Sequence, residues 1–208
     1  MPSYKLTYFG FQGGRGDSIR LALHHGGIPF TDERITHEQL GKIKDSLPFG
    51  QVPVLTINDK TVVPQEGAIL RYIGRLTGAY PDDKDKALNQ DVLLGFGDDL
   101  YAVVPLFFQD HPGKDVVKKT TIEERIPKLF DCLEKHLASR GTTYCDGNDL
   151  SVADFKLFAA LTLFKTGMLQ GLSTEIIDNY PHIAKLYQAI EKHEKFLMNN
   201  NNKNAPPI

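Results

Sequence analysis

Residues 51–67 combine residue types that could bind a small peptide through its backbone and a carboxylate. A proline makes a cis peptide bond accessible at low cost, and a cis bond between Val52 and Pro53 would turn the N–H and C=O of Val52 outward, free to pair with an extended peptide. Gln65 and Glu66 directly precede a segment with helical periodicity, so we expect them at a helix N-terminus, where free N–H groups favour an anion.

A hairpin and a helix are predicted to position these residues. The β-branched run 54–57 and the segment 60–63 flank Asn58-Asp59, a pair typical of a tight turn. Pro53 is tolerated at the start of the first strand, where a missing backbone donor does little harm. Apolar residues with i, i+3, i+4, i+7 spacing then predict a helix that ends at Gly78: Ile69, Tyr72, Ile73 and Leu76.

The first part of the chain reads as a small mixed sheet with helices on its faces, in the order βαβαββα. Its predicted segments are a strand (5–9), a glycine-rich loop (10–16), a helix beginning near Ile19, a strand (29–35), a weak helix (38–46), and then the hairpin and its helix.

The character of the sequence changes after Pro81, where nearly every apolar pattern is helical. Two long apolar stripes, within 92–107 and 122–137, are expected to be kinked by Pro105 and Pro127. Ser151 and Asp154 have the spacing of a capping box, and the helix that they open, through residue 164, is apolar nearly all round. It should therefore be the buried centre of an all-α domain, while the polar end of the chain, 199–208, is expected to fray.

The composition excludes several functional classes. The chain has 208 residues, which is long enough to bury a hydrophobic core. Its formal net charge is −2, so it has no overall positive electrostatic field that would attract nucleic acid or an anionic membrane. No apolar run reaches the ~18 residues of a membrane span, and the first residues do not resemble a signal peptide. Cys132 and Cys145 lack metal-site and Cys-x-x-Cys spacing, so we expect a cytoplasmic protein without metal or permanently bound cofactor.

Four motifs follow one another along the chain: Lys-Leu-Thr-Tyr-Phe (5–9), Leu-Pro-Phe-Gly-Gln-Val-Pro-Val-Leu (47–55), Pro-Gln-Glu-Gly-Ala-Ile-Leu-Arg-Tyr (64–72) and Gly-Asn-Asp-Leu-Ser-Val-Ala-Asp-Phe (147–155). Together, in this order and spacing, they resemble the cytosolic glutathione transferases over essentially the whole chain. Tyr8 in Leu-Thr-Tyr-Phe is most similar to the sigma class, which includes prostaglandin D synthase. The resemblance implies a thioredoxin-like glutathione-binding domain (1–79), a linker (80–86), an all-helical domain with the hydrophobic substrate site (87–208), and a homodimer.

The resemblance also implies a catalytic role for Tyr8 and Arg15. Conjugation requires glutathione as a thiolate, and a thiol with a pKa near 8.5 is mostly protonated at neutral pH. A tyrosine hydroxyl that donates a hydrogen bond to sulfur stabilises the anion. Arg15 would add positive field, although one more residue separates it from Tyr8 than in the common Tyr-Phe-x-x-Arg-Gly-Arg pattern.

The glutathione site implied by the resemblance differs from the usual family pattern at two positions and leaves a choice between two neighbouring aspartates at a third. Leu40 stands where related enzymes usually carry a tryptophan, and Glu66 where they usually carry a serine that donates to the γ-glutamyl carboxylate. Of Asp98 and Asp99, Asp99 is preferred as the residue that reaches the γ-glutamyl ammonium across the dimer. The expected glutathione-binding residues are Tyr8, Lys44, Gln51, Val52, Pro53, Gln65, Glu66 and Asp99.

The hydrophobic substrate is expected to lie against Phe11, Tyr101 and Leu106, with Lys156 as a further candidate, because apolar walls give broad tolerance. Phe49 resembles the aromatic residue that some classes insert into the neighbouring subunit. The predicted function is glutathione transfer to hydrophobic electrophiles, or reduction of organic hydroperoxides, with glutathione as co-substrate. Two alternatives are a non-catalytic ligand carrier or structural protein on the same fold, and a glutathione-dependent prostaglandin-type isomerase.

Overall fold

The computed structural model of the chain describes residues 2–145 and 147–201, with side chains as far as residue 193. The chain order of strands and α-helices is β1 (Tyr4–Phe9), α1 (Arg15–His25), β2 (Thr31–Ile35), α2 (His37–Ile43), β3 (Val54–Ile57), β4 (Thr61–Pro64), α3 (Glu66–Thr77), α4 (Lys84–Ala102), α5 (Lys114–Thr120), α6 (Ile126–Arg140), α7 (Val152–Lys165) and α8 (Pro181–Asn201). The predicted βαβαββα order, followed by helices, is confirmed.

The four strands form one mixed sheet in the order β2-β1-β3-β4. β1 pairs in parallel with β2 and antiparallel with β3, and β3 pairs antiparallel with β4. Leu6 lies opposite Leu55, and both are fully buried, so the core begins at the centre of the sheet. The hairpin turns at Asn58 and Asp59, both in the left-handed region, as their side chains tolerate.

Helix α7 is the centre of the molecule, as its sequence predicts. It packs against α1, α3, α4 and α8, and therefore joins the sheet-containing half to the helical half. Its first turn carries the predicted capping box, in which the Ser151 hydroxyl and the Asp154 carboxylate bond each other's backbone N–H. Asp154 is fully buried and also accepts a hydrogen bond of 2.8 Å from the backbone of Cys145.

The two prolines that were expected to kink long helices act differently. α4 ends at Ala102, and Pro105 lies in a separate 3₁₀ turn, Val104–Phe107, so the predicted kink there is wrong. Pro127 lies in the first turn of α6, directly after a π-helical segment, Thr121–Arg125, that connects α5 to α6. The wider π turn accommodates a ring that would clash with a regular α-helical carbonyl.

The helical half begins with α4 at Lys84, inside the predicted linker 80–86, and α3 ends at Gly78 in the left-handed conformation that glycine favours. The division into 1–79 and 87–208 stays a prediction. Helix α8 continues to Asn201, and the rest of the tail that was expected to fray lies outside the described residues. Across the described ranges, no helix is long and apolar enough to cross a membrane, and no group of side chains could hold a metal ion.

We expect Asp154→Ala to lower the free energy of unfolding by about 3 kcal/mol, because it removes a helix cap and leaves two buried N–H groups, of Cys145 and Ser151, without an acceptor. Urea unfolding measures this change. The control is Asp149→Ala, an exposed carboxylate on the same loop, which should stay within about 0.5 kcal/mol of wild type. Equal stabilities for the two variants would contradict the role of the cap.

Candidate active site

An open cleft of about 440 Å³ lies between the sheet-containing half and α4. Its walls come from the start of α1, the turn before β3, the end of β4, the first turn of α3 and the middle of α4. The lining residues are Arg15, Gln51, Val52, Pro53, Pro64, Gln65, Glu66, Gly67 and Asp98. The structure therefore brings together most of the residues that the sequence assigned to a glutathione site.

The peptide edge of the cleft has the predicted backbone geometry. The Val52–Pro53 peptide bond is cis, and both residues line the cleft. Gln65 precedes α3 with φ 72°, a conformation that costs a non-glycine residue about 1–3 kcal/mol and is found most often at functional sites. The N–H groups of Glu66 and Gly67 lie in the first turn of α3, where a helix provides no internal acceptor for them.

Tyr8 lies beside Arg15 at the end of β1, with its side chain 7% exposed. Its ring packs directly on Gly16, where an added Cβ would lie 2.1 Å from the ring, and its hydroxyl accepts a hydrogen bond from the backbone N–H of Arg15. Burial, followed by the negative charge of Glu66, raises the pKa of Tyr8 to about 12. The phenol is therefore protonated, and a hydrogen-bond donor, throughout the physiological range.

A buried ion network holds the glycine-rich loop between Tyr8 and α1. Arg20 is 1% exposed and donates to Asp17 at 2.5 Å and to Asp32 at 3.0 Å. Asp17 in turn accepts a hydrogen bond of 2.7 Å from the N–H of Gly13. Burial raises the pKa of Asp17, and the charge of Arg20 opposes that rise. The loop is thus fixed from beneath, and with it the amide of Arg15.

Arg15 reaches the cleft in spite of the extra residue in the loop. Its guanidinium lies 3.2 Å from the Asp98 carboxylate, 3.6 Å from that of Glu66, and 4.6 Å from the centre of the Tyr101 ring. The arginine is half-exposed and held from three sides, so it provides a fixed positive charge at the mouth of the cleft.

Glu66 is the carboxylate closest to the start of α3, and it points inward. It is 3% exposed, accepts a hydrogen bond of 2.5 Å from the Ser18 hydroxyl, and lies 3.3 Å from the Lys156 ammonium. Burial raises its pKa, and Lys156 is the largest opposing influence. The side chain is therefore turned towards Ser18 and Lys156, deep in the protein, rather than towards the open part of the cleft.

Several predicted residues lie around the cleft without lining it in this chain. Lys44 is exposed and its stem passes close to Gly50, next to Gln51. Asp99 is exposed on α4, and its predicted role across a dimer stays a prediction. Leu40 is half-buried on α2.

The three predicted apolar positions are placed differently from one another. Phe11 is half-buried, with its ring centre 5.8 Å from that of Tyr8. Leu106 is half-buried in the 3₁₀ turn after α4. Tyr101 is buried beneath Arg15, and its hydroxyl has no hydrogen-bond partner within the described part of the chain. Phe11 and Leu106 are thus accessible to a ligand, whereas Tyr101 supports Arg15.

No ligand role was expected from the sequence for Pro64, Gly67 or Ser18, and of the acidic pair on α4 Asp99 was preferred to Asp98. Pro64 and Gly67 flank residues that it did select, and Asp98 is the neighbour of the preferred Asp99. Lys156, which the sequence placed only on the apolar wall, is an ionic partner of Glu66 and Asp98. A signal for this role was present, because a lysine in a helix that is apolar on all sides must find a buried counter-charge.

Comparison with known proteins gives the family. Residues 17–76 match the family model for the glutathione S-transferase N-terminal domain, and residues 98–197 match that for the C-terminal domain. Glutathione S-transferase 1 of Ascaris suum is 33% identical over 172 residues, which cover 80% of this chain and 82% of that protein. The chain belongs to the glutathione transferase family.

Solved structures agree with this assignment. The prostaglandin synthase D of Nilaparvata lugens is 30% identical, with a TM-score of 0.84 and coverage of 98% of this chain and 100% of that one. The sigma class glutathione transferase of Fasciola hepatica is 26% identical, with a TM-score of 0.79 and coverage of 99% and 98%. The thioredoxin-like and helical halves of this glutathione transferase are therefore arranged as in its relatives.

We expect Gly16→Ala to displace the Tyr8 ring, since the new Cβ would lie 2.1 Å from it. Overpacking of this kind should destabilise the protein by about 1–3 kcal/mol. A displaced hydroxyl gains water, so the pKa of Tyr8 should fall from about 12 towards its ordinary value, as measured by ultraviolet titration against the same variant with Tyr8→Phe. Gly95→Ala, which meets no atom within 4 Å, is the control. An unchanged titration would show that Gly16 does not position the phenol.

Proposed function

We propose that this glutathione transferase activates glutathione with Tyr8 and conjugates it to hydrophobic electrophiles. The observation that carries the proposal is the Tyr8 phenol, protonated and held by the Arg15 amide beside a cleft with a free peptide edge and a helix N-terminus. A donor so placed favours the sulfur anion over the thiol. Lowering a thiol pKa by ~2 units requires about 2.7 kcal/mol, and one hydrogen bond to a charged group contributes about 1.5–3 kcal/mol.

Glutathione would lie along the cleft with its γ-glutamyl end at the first turn of α3 and its glycine end near Lys44 and Gln51. Its cysteinyl backbone pairs with Val52, and its γ-glutamyl carboxylate lies at the first turn of α3, near the N–H of Glu66 and the side chain of Gln65. Lys44 and Gln51 bind the glycine-end carboxylate, and Asp99 of the partner subunit binds the ammonium.

The reaction requires no further cofactor. The thiol proton leaves to solvent, the sulfur anion forms a bond to the electrophilic carbon, and the leaving group departs with its electron pair. With an organic hydroperoxide, the thiolate attacks the outer oxygen and breaks the O–O bond, which gives a sulfenic acid of glutathione and an alkoxide that takes a proton to leave as the alcohol. The thiol of a second glutathione then attacks the sulfenic sulfur, so that the disulfide forms and water leaves. The electrophile would pack against Phe11 and Leu106, which bind by apolar burial and therefore accept varied shapes.

We expect Tyr8→Phe to lower the rate of conjugation of a chlorinated nitroaromatic about 10- to 100-fold at neutral pH, because the thiol pKa rises by about one to two units. Tyr4→Phe is the matched control, since Tyr4 lies on the same strand and its hydroxyl contacts Tyr72 instead. Because the pKa of Tyr8 is raised to about 12, the wild-type rate should show no decline below about pH 10. Equal rates for the two variants would refute the role of Tyr8.

The same assay separates the alternatives. Likeness to the prostaglandin synthase D of Nilaparvata lugens favours an isomerase as the second candidate, which would convert an endoperoxide without net consumption of glutathione. Wild-type protein that binds hydrophobic ligands but conjugates nothing would instead indicate a carrier.

We further propose a sigma-like, cytoplasmic homodimer, with the outer face of α3 and α4 as the interface. Large apolar side chains are exposed there at i, i+4 spacing: Tyr72 and Leu76 on α3, and Leu88 and Val92 on α4. The two helices are joined by an ion pair of 2.8 Å between Arg71 and Asp91, next to Tyr72 and Val92. Phe49, 63% exposed, is the residue expected to enter the partner.

We expect Val92→Glu to convert the dimer to a monomer, because it places a charge in a desolvated interface. Val92 is 54% exposed, and Val116 on α5 is 71% exposed. Val116→Glu is therefore the matched control and should remain dimeric in size-exclusion chromatography with light scattering. A dimer with Val92→Glu, or a monomeric wild type, would argue against this interface.

A further inference from the structure

A buried glutamate–lysine pair lies at the end of the cleft where the proposed function places a ligand carboxylate. Glu66 begins α3, the helix whose N-terminus favours an anion, and its own carboxylate is 3% exposed. A second carboxylate bound there would meet this charge at close range. Repulsion between the Glu66 carboxylate and the ligand carboxylate would weaken binding unless a cation compensates it.

Lys156 provides that cation from the central helix of the molecule. It comes from α7, is 1% exposed, and places its ammonium 3.3 Å from Glu66 Oε2 and 2.8 Å from Asp98 Oδ1. The neighbouring residues of α7 are buried and mostly apolar, and the one buried carboxylate near it on the helix, that of Asp154, accepts hydrogen bonds from the N–H groups of Cys145 and Ser151.

The path of the lysine depends on a glycine in α4. A Cβ at Gly97 would lie 2.7 Å from Cε, 2.8 Å from Cγ and 3.0 Å from Cδ of Lys156. The stem therefore crosses α4 where the helix has no side chain, and this absence lets the ammonium reach the carboxylates of Glu66 and Asp98.

The charges of the four ionised groups at this end of the cleft sum to zero. Arg15 and Lys156 are cationic, Glu66 and Asp98 are anionic, and each cation lies within 4 Å of both carboxylates. Without Lys156, only the half-exposed Arg15, 3.6 Å away, would face the Glu66 carboxylate. The cleft would then carry one net negative charge at the place where the ligand carboxylate binds.

We infer that Lys156 is a positioning residue, which cancels the charge of Glu66 and holds its side chain towards Ser18, so that the first turn of α3 stays open to the α-carboxylate of a γ-glutamyl ligand. The inference rests on the proposed function, because it takes glutathione as the ligand. Lys156 makes no contact with the ligand in this account, and it acts only through Glu66 and Asp98.

Isothermal titration calorimetry with glutathione tests the inference on three variants of the full chain. Lys156→Met should weaken binding by at least about tenfold, through the uncompensated charge of Glu66. Glu66→Gln alone should tighten binding about threefold, the effect of removing one like charge a few ångströms away in a wet cleft. The double variant should bind within about threefold of wild type, so the two effects are strongly non-additive.

A ligand analogue separates this role from a purely structural one. The analogue replaces the γ-glutamyl group by 4-aminobutyryl, which lacks only the α-carboxylate, and its affinity should change little in any of the three variants. Lys165→Met is the matched control, because Lys165 is on the same helix and pairs with Asp178 on the protein surface. If Lys156→Met does not fold, the response of Glu66→Gln to the two ligands still decides the question.

Three results would overturn the inference: unchanged glutathione affinity in Lys156→Met, no rescue in the double variant, or an equal loss of affinity for the analogue. Failure of the proposed function has a different signature. In that case the wild-type protein itself would not bind glutathione, whereas here it binds and only the variants differ.

Discussion

The buried carboxylate of Glu66 imposes the constraint on which the cleft depends. A charge that is 3% exposed must be paired, and its partners come from two helices: Ser18 and Arg15 from α1, and Lys156 from α7. Asp98 on α4 completes the balance. Because α7 also packs against α1 and α4, the same helix that forms the core of the molecule delivers the counter-charge to the cleft. The packing of the core therefore also determines the charge balance of the cleft.

A second constraint keeps the Tyr8 phenol neutral and in place. Burial raises its pKa to about 12, the absence of a side chain at Gly16 lets the ring pack directly on α1, and the amide of Arg15 fixes the hydroxyl. That amide is itself fixed by the loop that Asp17 and Arg20 hold from below. The proposed catalytic donor is thus positioned by backbone and buried ions, which lose little entropy when a ligand binds.

Turn and cap preferences of nearby residues correctly predicted where several strands and helices begin and end. The periodicity of apolar residues did not predict correctly whether a long segment forms one helix or two. The hairpin at Asn58, the helix end at Gly78 and the capping box at Ser151 each follow from turn and cap preferences within a few residues. Pro105 was expected to kink a helix that in fact ends at Ala102, because periodicity alone does not distinguish one bent helix from a helix followed by a 3₁₀ turn.

By itself, the sequence determined the order of strands and helices, the family, and the segments that form the cleft, since these depend on periodicity, caps and short motifs. Only the tertiary structure decided how Glu66 is accommodated. The direction of its side chain depends on a lysine 90 residues away and on the empty space at Gly97 through which that lysine passes. The sequence indicates that a lysine in this apolar helix needs a counter-charge, but it does not identify Glu66 as that partner, because electrostatic compensation acts through distance in space and not along the chain.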